Sequence, residues 1–327
     1  MLKRNSLSVT LILLIGALNP GCTYTRGIRT DQSGEISNSP YWQTNTESIV
    51  TAINTGSNAD RELESRVPTL AAMVKTDATN PQIFGFWGTS INFDETAKAE
   101  IIKPEITAAI GRLAGQPMTA RYVHAGLAHT YGYLLSNLVT PYGYKRERWT
   151  LPTIDDGFGW LRGPVSPAPD KGTLLVNVTL LAGKIAFRDD KSRLDELSAS
   201  GAGAAPEIAS LNTSTLAIRR LTETVQLAGS AESGSASRTV TLFTDLVKLP
   251  FASQDPKALT YILVYSITDT EVAGRRLITL FPMTEAAADA VFIPANLGDE
   301  KPVVTRYNAY VPGLTGATIN GSRKATH

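Results

Sequence analysis

Residues 258–283, "ALTYILVYSITDTEVAGRRLITLFPM", contain two runs rich in Val, Ile, Leu, Thr and Tyr, at 258–269 and 275–283. The short segment "TDTEVAG" joins them. β-Branched and aromatic residues in short runs that end at turn residues favour strands. This stretch therefore predicts two neighbouring antiparallel strands.

Runs of similar composition lie on both sides of this pair. The spacing of apolar residues changes from a helical to an alternating period after residue 170. Four of them predict further strands, at residues 173–188, 214–228, 238–249 and 302–311. With the first two they predict one antiparallel sheet of about six strands. A helical turn is predicted over 284–290, "TEAAADA", between the last two strands.

The residues before 140 have helical periodicity instead. A short helix is predicted from Thr44, which has capping-box spacing to Glu47, as far as Gly56. Two further helical patterns begin at Asp60 and Asp94, and each is interrupted by a proline. The clearest helix is predicted over residues 118–139, where the apolar residues recur on one face.

Helices followed by strands predict an α+β fold, with an N-terminal helical layer beside an antiparallel β-sheet. The predicted divisions are a helical region at 44–139, an aromatic connector at 140–172, an antiparallel β region at 173–313 and a frayed tail at 314–327.

Composition restricts the classes of protein to consider. The chain has 327 residues, of which 43% are hydrophobic and 19% charged, as in a globular protein with a sizeable core. Its formal net charge of +1 gives no general attraction to polyanions. We therefore expect no nucleic-acid partner.

The first residues have the pattern of a targeting signal. A charged start at Lys3 and Arg4 precedes an apolar run from Leu7 to Leu18, which is too short to span a bilayer comfortably. The motif "NPGC" follows and ends at Cys22. Residues 1–21 are therefore predicted to be a signal peptide.

Cys22, the sole cysteine of the chain, stands directly after Gly21 at the end of this signal. The arrangement resembles the lipobox of bacterial lipoproteins. The resemblance implies lipidation of Cys22, a membrane partner through the lipid anchor and a place in the bacterial cell envelope. Since no aspartate follows the cysteine, it implies the outer membrane. Residues 22–43, polar and aperiodic, are predicted to form a flexible tether; the alternative is a plain secretory signal that leaves a free thiol.

Two groups of residues are candidates for binding. The first is a polar and aromatic strip on one face of the predicted helix 118–139, with Tyr122, His129 and Tyr133 as its chief members. The second lies in the connector "TPYGYKRERWTLPTIDDGFGW", residues 140–160. Its candidates are Tyr142, Tyr144, Arg146, Arg148, Trp149, Asp155, Asp156 and Trp160. These side chains either bind a glycan or a protein, or pack between the two layers of the fold.

The sequence offers little for catalysis, metals or cofactors. On a continuous helix His124 and His129 would lie about 140° apart, so they are poorly placed to share one metal ion. No GxSxG motif occurs, and Ser90 in "GTS" is a weak nucleophile candidate. We therefore predict no cofactor and no metal. The favoured function is a non-catalytic binding or structural module for an envelope protein or glycan, and the alternative is an envelope hydrolase that acts on a glycan or an ester.

Overall fold

The computed structural model describes most of the chain after residue 45. The described residues are 46–140, 143–146, 153–161, 163–165, 169–227, 237–255, 257–292, 307–311, 314 and 323–326. Within these ranges, helices accompany antiparallel sheets of five, three and two strands. The predicted α+β class is confirmed.

The elements of the described ranges are numbered here in chain order. The helices are α1 (Thr46–Thr55), α2 (Ala59–Arg66), α3 (Pro68–Ala78), α4 (Pro104–Leu113), α5 (Ala125–Leu127), α6 (Thr153–Phe158), α7 (Leu174–Ala186), α8 (Lys191–Ser200), α9 (Pro206–Ala209) and α10 (Glu285–Val291). The strands are β1 (Thr89–Ile91), β2 (Tyr122–His124), β3 (Val139–Thr140), β4 (Gly143–Tyr144), β5 (Ile218–Leu227), β6 (Arg238–Lys248), β7 (Leu259–Asp269), β8 (Val272–Thr284), β9 (Ala309–Tyr310) and β10 (Arg323–Thr326).

The five-stranded sheet has the order β10-β5-β6-β7-β8, and every neighbouring pair is antiparallel. One face packs on the helical layer through Val247, Ile262 and Val264, which join the same core as α7. The other face buries Leu246 and Leu263 against a smaller cluster that includes residues of α10 and β9. Because both faces are covered, β7 is buried almost throughout its length.

Helix α7 corrects the strand predicted at residues 173–188. Nearly every residue of this helix is buried, so the run has no polar stripe that would reveal a helical period. Thr173 caps its start by accepting a hydrogen bond from the backbone N–H of Val176 at 3.2 Å. The main strands consequently begin at Ile218 rather than at residue 173.

The predicted helix over 118–139 is also wrong in part. Residues 122–124 form β2 instead, and the helical segment from Ala125 passes through a π-helix at Ala128–Gly132 into a 3₁₀ turn at Tyr133–Leu135. The helix predicted from Asp94 begins only at Pro104, as α4.

Two predictions about the C-terminal part also need correction. In the run 302–311 the described strand is Ala309–Tyr310, which belongs to the separate three-stranded sheet of order β2-β1-β9. The tail predicted to be frayed contributes Arg323–Thr326 as a strand that pairs with β5. The helical turn predicted over 284–290 is confirmed as α10.

A buried carboxyl group links the helical layer to α7. Asp77 accepts a hydrogen bond from the hydroxyl of Tyr131 at 2.6 Å and another from the hydroxyl of Thr173. Burial raises the pKa of Asp77 to about 6, and these two hydrogen bonds oppose that rise. The three side chains join α3, the π-helix and the start of α7.

An ionic network lies where the C-terminus of α7 meets the sheet. The fully buried Asp245 accepts hydrogen bonds from Arg188 at 2.6 Å and from Arg220 at 2.7 Å. Asp189 accepts from Arg220 and from Arg275, at 2.8 and 2.9 Å. Because the last carbonyls of a helix carry partial negative charge, guanidinium groups are stabilised at this position.

No helix within the described ranges is both long enough and apolar enough to cross a membrane.

Candidate functional site

The strip predicted on helix 118–139 does not form one surface. Tyr122 lies on β2 and is 38% exposed, whereas His129 and Tyr133 are buried in the helical segment that follows. Their rings are in contact, with centroids 4.5 Å apart. We conclude that only Tyr122 of the three can meet a ligand from solvent.

His129 is held in its neutral form inside the protein. Its Nδ1 donates a hydrogen bond to the carbonyl of Ala125 at 2.8 Å. Burial, with a smaller contribution from the positive charge of Lys145, lowers the pKa of His129 to about 3. The ring therefore stabilises the helical segment from within.

Several candidates of the aromatic connector fall outside the described residues. These are Tyr142, Arg148 and Trp149, with Cys22 earlier in the chain. Tyr144 belongs to β4, where its backbone pairs with Val139.

Arg146, in contrast, is almost wholly buried. Its guanidinium donates to the carbonyl of Ser136 at 2.9 Å and to the side chain of Asn137 at 3.1 Å. These contacts tie the connector to the end of the helical segment, which is a structural role.

The acidic pair of the connector divides between interior and surface. Asp155 is buried and accepts hydrogen bonds from the backbone N–H groups of Gly163 and Val165, at 3.1 and 3.0 Å. Burial raises the pKa of Asp155 to about 6, and the two hydrogen bonds oppose that rise. Asp156 is exposed, and burial raises its pKa less strongly. Because the Asp155 carboxylate closes a loop, it is poorly placed to act on a substrate.

Trp160 lies beside this pair and is half-buried. It stacks on Phe158, with ring centroids 4.5 Å apart and an angle of 15° between the planes. Much of one indole face is thus covered by a neighbour from α6.

A cleft of about 580 Å³ opens elsewhere, between the 3₁₀ segment Pro81–Phe86 and the three-stranded sheet. We call it the Arg276 cleft. Its lining includes the side chains of Phe84, Thr89, Gln116, Tyr122, Arg276 and Tyr310. Among these residues the sequence had indicated Tyr122 alone, because Arg276 and Tyr310 are more than 150 residues away along the chain.

Gly88 explains how the chain builds one wall of the Arg276 cleft. Its N–H donates to the carbonyl of Leu277 on β8 at 2.8 Å, and its own carbonyl accepts from Ala125 at 2.9 Å. A Cβ atom at this position would lie 2.8 Å from Cδ1 of Ile278. A larger residue would require the Ile278 side chain to move, so glycine suits this close approach, which places the 87–89 segment against β8 beside Arg276.

A second glycine allows the neighbouring helix to pack closely. A Cβ atom on Gly126 would lie 2.7 Å from the indole ring of Trp87. That ring is buried, and its Nε1 donates to the hydroxyl of Thr179 on α7 at 2.7 Å. The wall of the cleft is therefore bonded to the helix that supports the main sheet.

His124 forms part of the wall, and both of its ring nitrogens have backbone partners. Nδ1 accepts from the N–H of Leu127 at 3.2 Å, and Nε2 donates to the carbonyl of Phe84 at 3.1 Å. Burial lowers the pKa of His124 to about 4, with a smaller lowering by the charge of Arg276. The imidazole is thus neutral and already engaged, so it cannot readily serve as a general base.

Arg276 differs from the arginine that precedes it. Arg275 pairs with Asp189 and lies over the ring of Phe243, 3.7 Å from its centroid. Within the described residues Arg276 forms no ion pair, and its Nε is buried without a hydrogen-bond partner, as is the Nε of Arg275. Burial and the charge of Arg193 lower the pKa of Arg276, although an arginine keeps its charge under ordinary conditions.

Two tyrosines add aromatic surface to the Arg276 cleft. Tyr122 of β2 and Tyr310 of β9 have ring centroids 4.2 Å apart at an angle of 34°. Their strands flank β1, so the three-stranded sheet holds the rings together. The described structure gives no hydrogen-bond partner to either hydroxyl, nor to the side chains of Thr89 and Gln116.

Ser90, weighed as a nucleophile, is buried on β1. Its hydroxyl has no hydrogen-bond partner among the described residues, so no base activates it there. The same residues contain no group of three His, Cys, Asp or Glu side chains that could hold a metal ion.

Comparison with known proteins adds no assignment: no protein-family model, curated protein or solved structure matches this chain.

Proposed function

We propose that this protein is a non-catalytic binding module of the bacterial cell envelope, and that it takes its ligand in the Arg276 cleft. One observation carries the proposal. The cleft combines a guanidinium group that forms no ion pair with any described residue and two aromatic rings held side by side. A concave site with a few convergent polar groups is the usual form of a ligand site.

The hydrogen bonds of the titratable candidates favour binding over hydrolysis. His124 uses both ring nitrogens on backbone groups, and His129 is buried against Tyr133. Asp155 is bonded to two backbone N–H groups. A hydrolase needs a nucleophile or a base that is free to reach its substrate, and these three groups are already occupied.

A larger side chain in the cleft tests whether the ligand binds there. Gly85 lines the cleft, and a Cβ atom added there meets nothing within 4 Å, so Gly85→Leu should occupy the space without strain. We expect immobilised wild-type protein to retain a component of detergent-solubilised envelopes. Immobilised Gly85→Leu protein should retain at least about tenfold less of that component, which corresponds to a loss of roughly 1.4 kcal/mol in binding free energy. Quantitative mass spectrometry and glycan analysis of the eluates provide the measurement.

Gly85→Ala is the matched control, because a single methyl group leaves most of the cleft open. The melting temperatures of both variants should equal that of the wild type. Equal retention by a folded Gly85→Leu protein would contradict the cleft as the ligand site.

The proposal includes the lipid anchor at Cys22, and with it an outer-membrane location. It is supported by the lipobox-like sequence that ends at this cysteine. Each buried methylene contributes about 0.8 kcal/mol, so several acyl chains hold a protein to a bilayer almost permanently.

We expect mass spectrometry of the mature N-terminus to find diacylglycerol and an acyl chain on Cys22. Cys22→Ser should move the protein from the membrane fraction to the soluble fraction. An unmodified thiol on protein from its native cells would exclude the anchor.

A further inference from the structure

We infer that the ligand of the Arg276 cleft is an acidic glycan, in which a phosphate or carboxylate group pairs with Arg276 while a sugar ring lies on Tyr122 and Tyr310. The inference deepens the proposed function and depends on it. Of the described residues that line the cleft, Arg276 is the one charged side chain, and none is a carboxylate.

Among the described residues the guanidinium of Arg276 forms no ion pair, whereas Arg275 beside it pairs with Asp189. Asp269, whose charge acts on Arg276, lies 3.5 Å from Arg238 and accepts from the N–H of Glu271 at 3.1 Å. An acceptor for Arg276 is therefore best supplied from outside, and carboxylate and phosphate groups match the guanidinium fork.

The remaining groups of the cleft suit a sugar rather than an ion alone. The rings of Tyr122 and Tyr310 provide an aromatic face, and Tyr122 is accessible to solvent. The hydroxyl of Thr89 and the amide of Gln116 can donate to and accept from sugar hydroxyls. The cleft volume of about 580 Å³ is within the usual range for small-molecule sites.

The binding experiment uses the full mature chain in detergent micelles, with NMR titration to measure affinity. The probes are glucose 6-phosphate and glucuronic acid as the two kinds of acidic sugar, with glucose, inorganic phosphate and triglutamate for comparison. We expect one or both acidic sugars to bind about tenfold more tightly than glucose and than inorganic phosphate, because a charged hydrogen bond adds to ring contact. The acidic sugar that binds more tightly shows whether the site prefers a phosphate or a carboxylate group.

Variants separate the two parts of the site. Arg276→Gln should reduce the affinity for the acidic sugars to that for glucose, and Arg276→Lys should keep part of the preference because the charge remains. Tyr122→Ala should reduce the affinity for acidic and neutral sugars by the same factor. Lys324→Gln is the control, since it removes one positive charge from β10, about 19 Å away across the sheet at four strand spacings.

The outcomes distinguish this inference from the proposed function. Equal binding of glucose and the acidic sugars, tighter binding of triglutamate, or an unchanged preference in folded Arg276→Gln would each overturn the acidic glycan. So would the absence of binding by every probe while Gly85→Leu still abolishes retention of an envelope component, and the proposed function would then stand. If Gly85→Leu retains that component fully, the proposed function itself fails.

Discussion

Replacing Asp245 with alanine should lower the free energy of unfolding by about 3–5 kcal/mol, the cost of breaking a buried ion pair from one side. The carboxylate is fully buried and accepts from both Arg188 and Arg220. Without it, Arg220 keeps the half-exposed Asp189 as its partner, together with the ring of Phe243 at 5.3 Å. Urea denaturation followed by circular dichroism measures the loss.

The matched control is Asp195→Ala on α8. Asp195 pairs with Lys191 at 2.8 Å, but both side chains are largely exposed, so this pair should contribute less than about 1 kcal/mol. Similar small losses for the two variants would show that the network around Asp245 adds little to stability.

Acid should destabilise the wild type more than His129→Asn, by on the order of 4 kcal/mol in total between pH 7 and pH 3. The pKa of His129 falls from 6.5 in the unfolded chain to about 3 in the fold, so the folded state favours the neutral ring. This stabilisation is complete above pH 6.5 and is lost as the pH falls towards the folded value. The asparagine amide keeps a donor for the carbonyl of Ala125 but does not titrate.

Differences between variants are needed here because acidic groups act in the opposite direction. Burial raises the pKa values of Asp77 and Asp155 to about 6, so their contribution to stability increases as the pH falls. These contributions cancel in the difference between wild type and His129→Asn. Urea denaturation at several pH values provides the data, and parallel stability curves would contradict the prediction.

His124→Asn serves as an internal comparison. Since the pKa of His124 in the fold is about 4, its pH-dependent difference should level off near that value. The difference for His129→Asn should continue to increase down to about pH 3.

The sequence predicted the main sheet well because its strands are long and rich in β-branched residues. The run 238–249 corresponds to β6 within one residue, and the run 258–269 corresponds to β7 in the same way. It failed at α7, where a helix buried on all sides has the composition of a strand. Burial on every side removes the periodicity from which a helix is predicted.

The cleft was mostly hidden from sequence reasoning for a different reason. Tyr122 was a candidate because it lies in an aromatic and polar group, but Arg276 has no unusual neighbours in the sequence. What distinguishes Arg276 is that it forms no ion pair within the described structure, whereas Arg275 pairs with Asp189. Such a contrast depends on strand register and on the path of the 87–89 segment, which local pattern does not specify.

The same 87–89 segment also covers one position on the edge of the five-stranded sheet. Trp87 forms a parallel bridge with Leu277, and Gly88 bonds to the carbonyl of Leu277 on the outer side of β8. An unprotected edge strand offers free N–H and C=O groups to strands of other molecules, which is a common start of aggregation. The close approach of Gly88 to β8 therefore has two effects. It shapes the cleft, and it blocks the addition of another strand at that position.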